Sequence, residues 1–304
     1  MADFKFNFGS CDTEAKRNED ETQSNCKDIL KEAKELIFEG ISLPSKIVCE
    51  SVTLANGQLR LHHVLPEDIE KSLKRNEASI SSDILNAADV NSDIIPLVYE
   101  GGHKVWECSL DLAEFLFESG EQMAGRRVLE IGCGAGLPGI YALLNGAAVD
   151  FQDYNEEVLE HVTIPNILLN VTSRQTNDHN VNGVFTDRHN LNLNNCKFFA
   201  GDWGSLLNFI NPDLDQEETY DLILSSETIY NLNSQKRLYQ LIERHLKKPS
   251  GVAYIAAKTC YFGVGGGTRS FELLVRSFGK LNVSVVRTFS SGVQREILLL
   301  KFIT

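Results

Sequence analysis

The segment Val128-Leu129-Glu130-Ile131-Gly132-Cys133-Gly134-Ala135-Gly136-Leu137-Pro138-Gly139 constrains the fold of this chain more than any other. The apolar run 127–131 reads as a short buried strand and 137–145 as a helix ended by Gly146, with three alternating glycines between them. Glycine there tolerates positive φ and lets the backbone approach a ligand closely, while the following helix N-terminus favours a negative group. A strand, a glycine turn and a helix in that order open a βαβ unit, so an α/β fold with a mostly parallel sheet is expected.

The alternation continues with strands over 147–152, 197–200, 222–225 and 252–257. The end of the chain differs. Runs 283–289 and 296–302 flank Ser290-Ser291-Gly292 and predict a terminal hairpin whose last strand runs antiparallel to the rest. Before residue 99 the pattern is different again. Residues 1–25, with Glu19-Asp20-Glu21, read as a disordered acidic tail. Ile29, Leu30, Ala33, Leu36 and Ile37 fall at helical spacing, predicting a helix over 26–38 that Gly40 stops. Two β-rich runs within 46–65 flank Asn56-Gly57, a strong hairpin signal. Residues 26–98 are therefore expected to form a small accessory α+β region ahead of a main domain over 99–304, and the polar stretch 172–195 a long surface insertion.

A 304-residue chain with 42% hydrophobic residues can bury a sizeable core. Its net charge of -13 opposes direct binding to nucleic-acid phosphates and suits a basic protein partner, although ordinary solubility accounts for it equally well. No run approaches the ~20 apolar residues of a membrane span, and the first residues lack the apolar stretch of a secretory signal. Seven scattered cysteines without a CxxC pair point to reduced thiols rather than a disulfide framework or zinc site. His62-His63 would face opposite sides of a strand, so no metal site is expected there.

The chemistry is expected at the strand ends. Asp153 lies seventeen residues beyond Gly136, where a carboxylate can accept both hydroxyls of a ribose or simply cap a helix. That pair of features fits a nicotinamide-dependent dehydrogenase equally well. Asp202-Trp203 follows the third strand, where the carboxylate can accept from an adenine amino group and the indole can stack or donate. The alternative is a turn Asp beside a core Trp. Glu130, on the first strand, adds another carboxylate.

Five segments carry a resemblance: Tyr99-Glu100-Gly101-Gly102-His103-Lys104-Val105-Trp106-Glu107-Cys108, Gly136-Leu137-Pro138-Gly139, Phe151-Gln152-Asp153-Tyr154-Asn155, Ser225-Ser226-Glu227-Thr228-Ile229-Tyr230-Asn231 and Tyr261-Phe262-Gly263-Val264-Gly265-Gly266-Gly267. With Asp202-Trp203-Gly204 they resemble the seven-stranded S-adenosylmethionine methyltransferases that modify proteins. They are closer still to the histidine protein methyltransferases, the methyltransferase-like protein 18 group. The likeness spans 99–304 and extends less completely to Phe4-Lys5-Phe6-Asn7-Phe8. One departure is that many of the wider group place Asp where Glu227 stands.

The resemblance implies a Rossmann-like seven-stranded sheet with a terminal antiparallel hairpin, and S-adenosylmethionine as cofactor. Trp106, Glu130, Gly132, Gly134, Gly136, Asp153, Asp202, Trp203 and Ser226 would hold that cofactor. It implies methylation of a histidine on a large-subunit ribosomal protein. Separately, a monomer is expected, in cytoplasm and nucleus and extending to the nucleolus, with a basic client able to carry the chain in. Glu227 is the candidate acceptor for the imidazole N–H, with Tyr230 and Asn231 shaping the pocket; a cofactor-positioning role fits Glu227 equally. Residues 261–267 read as a substrate loop or a long turn, and Arg269 as a contact to the target or a solvated charge. A lysine methyltransferase of the same group and a non-catalytic cofactor-binding chaperone of a ribosomal client stay open. A dehydrogenase would leave Asp202-Trp203 and Glu227-x-x-Tyr230 without a role.

Overall fold

A computed structural model describes residues 31–37, 48–75, 82–176, 193, 195–213 and 215–303. The expected acidic tail, Gly40 and most of the 172–195 stretch lie outside these residues. The described chain forms strands β1 (Lys34–Leu36), β2 (Cys49–Leu54) and β3 (Leu59–Val64), helices α1 (Pro66–Arg75), α2 (Asp83–Asp89) and α3 (Glu107–Ser119), then β4 (Arg127–Ile131), α4 (Leu137–Leu144) and β5 (Ala148–Asp153). A helix follows in two parts, α5 (Glu156–Val158) and α6 (Ile164–Thr176), joined by a π-helical stretch at Leu159–Thr163. The rest is β6 (Cys196–Ala200), α7 (Trp203–Leu206), β7 (Leu222–Ser226), α8 (Leu232–His245), β8 (Val252–Lys258), α9 (Thr268–Phe278), β9 (Leu281–Phe289) and β10 (Arg295–Phe302).

The sheet order is β1-β6-β5-β4-β7-β8-β10-β9. Strands β6, β5, β4, β7 and β8 run parallel, and β10 is antiparallel to both β8 and β9, giving the expected terminal hairpin. Among the described residues this sheet has eight strands rather than seven. The extra one is β1, which pairs antiparallel with β6 at the sheet edge.

β1 corrects the helix expected over 26–38. Tertiary pairing overrides the helical spacing: Asp202 N donates to Lys31 O at 3.0 Å, and a Cβ on Gly201 would stand 2.4 Å from Glu32 O. Residue 201 has to be glycine for the chain to pass that close.

The inner strands are buried on both faces, with alternate residues entering two separate cores. Val128, Leu222 and Leu224 join the core built with α3, α4 and α6; Leu129, Ile131 and Ile223 join the one built with α8 and α9. The predicted Asn56-Gly57 hairpin forms, with positive φ at Ala55, Asn56 and Gly57. It is stitched to α6 by two asparagines. Asn170 Oδ1 accepts from His62 N at 2.9 Å, and Asn166 Oδ1 from Val64 N at 2.8 Å. Asn166 Nδ2 then donates to Ala135 O at 2.9 Å, connecting the hairpin to the glycine turn through one side chain.

Candidate active site

The C-terminal ends of β4, β5, β6 and β7 bring Gly132, Asp153, Asp202 and Glu227 to one edge of the sheet, where open α/β sheets bind ligands. Gly132, Gly134 and Gly136 all have positive φ (62°, 50° and 72°). A Cβ on Gly132 would stand 2.5 Å from Thr228 Cγ2, so that turn also requires glycine for space. Thr228 is held in place because its hydroxyl lies 2.7 Å from Ser225 Oγ, which donates to Ile131 O at 2.8 Å.

Asp153 is 4% exposed and accepts two backbone N–H groups, from Gly134 at 2.9 Å and Asn155 at 3.0 Å. Burial outweighs those donors and pushes its carboxyl up to about 6. The cap of α5 is Asn155, not Asp153. Asp202 does cap α7, accepting from Gly204 N at 2.7 Å through Oδ1, which also faces Arg237 Nε at 3.3 Å. Trp203 Nε1 donates to Gln152 Oε1 at 2.9 Å; the same oxygen accepts from Gly132 N at 3.1 Å. Gln152 therefore locks the indole to the glycine turn, a role not read from the sequence, where it shows only as one polar residue in a buried strand.

Glu130 and Trp106 are each held by a hydrogen bond within the fold. Glu130 is fully buried (0% exposed), its Oε2 accepting from Gly139 N at 2.8 Å. It braces the first turn of α4, and its Oε1, like that of Glu227, is buried with no hydrogen-bond partner among the described residues. Burial raises it to about 8 despite that hydrogen bond. Trp106 caps α3 through its backbone, and Nε1 donates to Gly101 O at 3.0 Å. It lines a cavity of about 540 Å³ with Val52, His63 and Lys104, to which Asp153, Asp202 and Glu227 do not contribute.

Glu100 was missed. Burial, then the charges of Asp153 and Asp202, raise it to about 7 against a backbone hydrogen bond at Leu97 and the attraction of Arg237. Glu100 and Asp202 thus share the Arg237 guanidinium, while Lys31 is the cation that Asp153 feels.

On the other side of β4, Ser226 ends β7, buried and paired in register with Ala256. Glu227 follows with φ 57°, an unusual conformation for a side-chain-bearing residue. Its carboxylate is turned inward and only 6% of the residue is exposed. Tyr261 Oη donates to Oε2, and Lys258 Nζ lies 3.7 Å from Oε1. Oε1 has no N–H or O–H donor within hydrogen-bond distance among the described residues, although the Cys108 thiol also interacts with this carboxylate. Burial, followed by the Glu227 charge, holds the Tyr261 hydroxyl and the Cys108 thiol well above their ordinary ranges.

Tyr230 meets the Tyr261 ring edge-on with centroids 6.1 Å apart. Asn231 is occupied as the N-cap of α8, accepting from Asn233 N at 2.9 Å. Residues 261–267 lie against this segment, with Gly266 N donating to Tyr230 O at 2.9 Å and Gly267 N to Ile229 O at 3.0 Å. A Cβ on Gly266 would come within 2.2 Å of Tyr230 O, so its glycine is dictated by close packing. Arg269 is more than half exposed yet paired within the chain. It donates to Glu296 Oε1 at 2.6 Å and to Glu272 Oε1 at 3.3 Å.

The sequence profile of the lysine methyltransferase family matches residues 97–261. The histidine protein methyltransferase 1 of Schizosaccharomyces pombe is 30% identical over 253 residues, covering 76% of this chain and 74% of that protein. The chain belongs to the histidine protein methyltransferase family. The histidine protein methyltransferase 1 homolog of Dictyostelium discoideum is 45% identical over 209 residues, covering 68% of this chain and 60% of that one. The Bos taurus homolog is 37% identical over 247 residues, covering 80% and 66%. The match therefore spans less than two thirds of the Dictyostelium and bovine relatives.

Membership in this family brings S-adenosylmethionine as the methyl donor, and the strand-end residues fit it. The sulfonium and ammonium of that molecule are cationic, and its ribose hydroxyls and adenine amino group are donors. Glu100, Asp153 and Asp202 supply an excess of buried or half-buried acceptors there. The glycine turn itself is packed to contact, a Cβ on Gly134 lying 3.2 Å from Gly102 O, and it stands beside these acceptors.

Proposed function

We propose that this chain transfers a methyl group from S-adenosylmethionine to an imidazole nitrogen of a protein histidine, with a basic large-subunit ribosomal protein as client. The observation that carries the reading is Glu227 Oε1, a buried acceptor that receives no N–H or O–H hydrogen bond among the described residues, on a backbone held at φ 57°. Imidazole, with a pKa of about 6.5, is largely neutral at pH 7 and has one N–H to donate. Donation to Glu227 fixes the tautomer and leaves the lone pair on the other nitrogen. Held at the strand ends, the cofactor would supply a methyl on a positively charged sulfur, and the imidazole lone pair would take that methyl as the sulfur leaves with the electron pair. Glu227 then holds the remaining N–H of the methylated ring until its proton passes to solvent.

The surroundings support a protein acceptor. Phe262 is 78% exposed on the 261–267 loop, and Leu232 is half exposed at the start of α8. Exposed aromatic and aliphatic side chains flanking a buried carboxylate suit a folded or extended polypeptide. The net charge of -13 suits a basic client and disfavours naked nucleic acid. A monomer working in cytoplasm and nucleus completes the reading.

The test is tritiated methyl transfer from S-adenosylmethionine into total lysate protein, then acid hydrolysis and separation of the labelled amino acids. Methylhistidine in one ribosomal protein is the expected result. Methyllysine would replace this reading with the activity named in the family profile, and cofactor binding with no label would replace it with a chaperone.

A further inference from the structure

Building on the histidine reading above, we infer that Lys258 selects the acceptor, admitting a neutral imidazole and rejecting a cationic lysine side chain. Lys258 ends β8 and is almost wholly buried, with 6% of its side chain exposed. Its ammonium lies 3.7 Å from Glu227 Oε1 and 5.7 Å from the Tyr261 ring centroid. The Tyr261 hydroxyl donates to the other oxygen, Oε2. The motif carboxylate thus carries a cation beside one oxygen and an O–H on the other before any acceptor arrives.

Two consequences follow for an incoming side chain. A lysine ammonium entering this space meets a charge of its own sign beside the one carboxylate that would receive it. At an effective dielectric of ~20, like charges about 5 Å apart repel by roughly 3 kcal/mol, a discrimination of about 100-fold. Lysine must also lose a proton before it can react, and the Glu227 carboxylate is already engaged by Lys258 and Tyr261. An imidazole arrives neutral and needs only an acceptor for one N–H, so it escapes both obstacles on entry; the charge it gains on methylation is spread over the ring and held by Glu227.

Among the described residues, the acids Asp111 and Glu107 are taken up by a different cation. Asp111 accepts from Arg295 Nε at 2.5 Å, and Glu107 Oε1 lies 3.5 Å from Arg295 Nη1. Lys258 and Arg295 are direct partners across β8 and β10, so two strands deliver a cation each to the same end of the sheet.

The experiment compares wild type, Lys258→Gln and Lys258→Arg in the tritium assay on total lysate protein, with cofactor affinity measured calorimetrically for each. Lys258→Gln is expected to lower the methylhistidine-to-methyllysine ratio at least about tenfold, because the repulsion is removed while the cofactor half is untouched. Lys258→Arg, which keeps the charge, is expected to restore the wild-type ratio. An unchanged ratio in a Lys258→Gln protein that still binds cofactor would overturn the inference and leave the histidine reading intact. Methyllysine as the wild-type product would instead overturn the histidine reading itself. Should Lys258→Gln fail to fold, wild type decides the matter with two small probes at pH 8, imidazole and n-butylammonium, as inhibitors of transfer. Imidazole is expected to inhibit at a concentration at least about tenfold lower, and equal potency would overturn the inference.

Discussion

The two halves of the strand-end edge are built differently. On the cofactor side, over β4, β5 and β6, carboxylates and an amide are fixed by backbone N–H groups: Asp153 by Gly134 and Asn155, Asp202 by Gly204, Gln152 by Gly132. On the acceptor side, over β7 and β8, the motif carboxylate is fixed by side chains distant in sequence, Lys258 and Tyr261. Backbone donors hold a site for any member of a fold class, whereas side-chain partners can be exchanged without disturbing the sheet. The first half suits a common cofactor and the second a particular acceptor.

That division is testable with paired glycine substitutions. Gly132→Ala places a Cβ 2.5 Å from Thr228 Cγ2 at φ 62°, and is expected to weaken cofactor binding at least about 100-fold by calorimetry. Gly266→Ala places one 2.2 Å from Tyr230 O and is expected to abolish transfer while leaving cofactor affinity within about twofold. Equal loss of cofactor binding in both would merge the two halves into one.

The pH dependence sharpens the cofactor half. Burial raises Asp153 from 3.8 to about 6, so its contribution to the stability of the ligand-free fold is complete below 3.8 and is lost as pH rises through about 6. Cofactor binding needs the ionised form and should follow the opposite trend, weakening about tenfold per unit as pH falls below about 6. Calorimetric titrations between pH 5 and 8 check both the slope and its loss in Asp153→Asn.

Smaller effects are expected around the frame. Trp203→Phe removes one neutral hydrogen bond to Gln152 and should weaken cofactor affinity by only about 2–10-fold. Glu130 rises from 4.5 to about 8, so the stability it contributes is complete below 4.5 and is lost as pH rises through about 8. Glu130→Gln keeps an acceptor for Gly139 N–H without the charge. Thermal melts should show the variant gaining about 2–4 °C relative to wild type at pH 9 compared with pH 6.

Much of the frame was legible in the sequence because it is local. The Gly132, Gly134 and Gly136 turn, the Asn56-Gly57 hairpin and the terminal antiparallel pair are each written in a few adjacent residues. What escaped is non-local. Lys34–Leu36 reads as part of a helix until β6 offers it an edge, and Glu130 shows its hold on Gly139 only once α4 packs over it. Lys258 looks like an ordinary lysine closing an apolar strand; only the fold brings it against Glu227, 31 positions earlier in the chain. Glu100 similarly shows its role only once Asp153 and Asp202 are set beside it.

The most direct test of the account is Glu227→Gln, assayed for histidine methylation and for cofactor affinity in the same preparation. Losing the charge at the acceptor of the imidazole N–H should remove a charge-assisted hydrogen bond of about 1.5–3 kcal/mol, lowering transfer about 10–100-fold while cofactor affinity stays within about twofold. Full transfer by Glu227→Gln with undiminished cofactor affinity would contradict it.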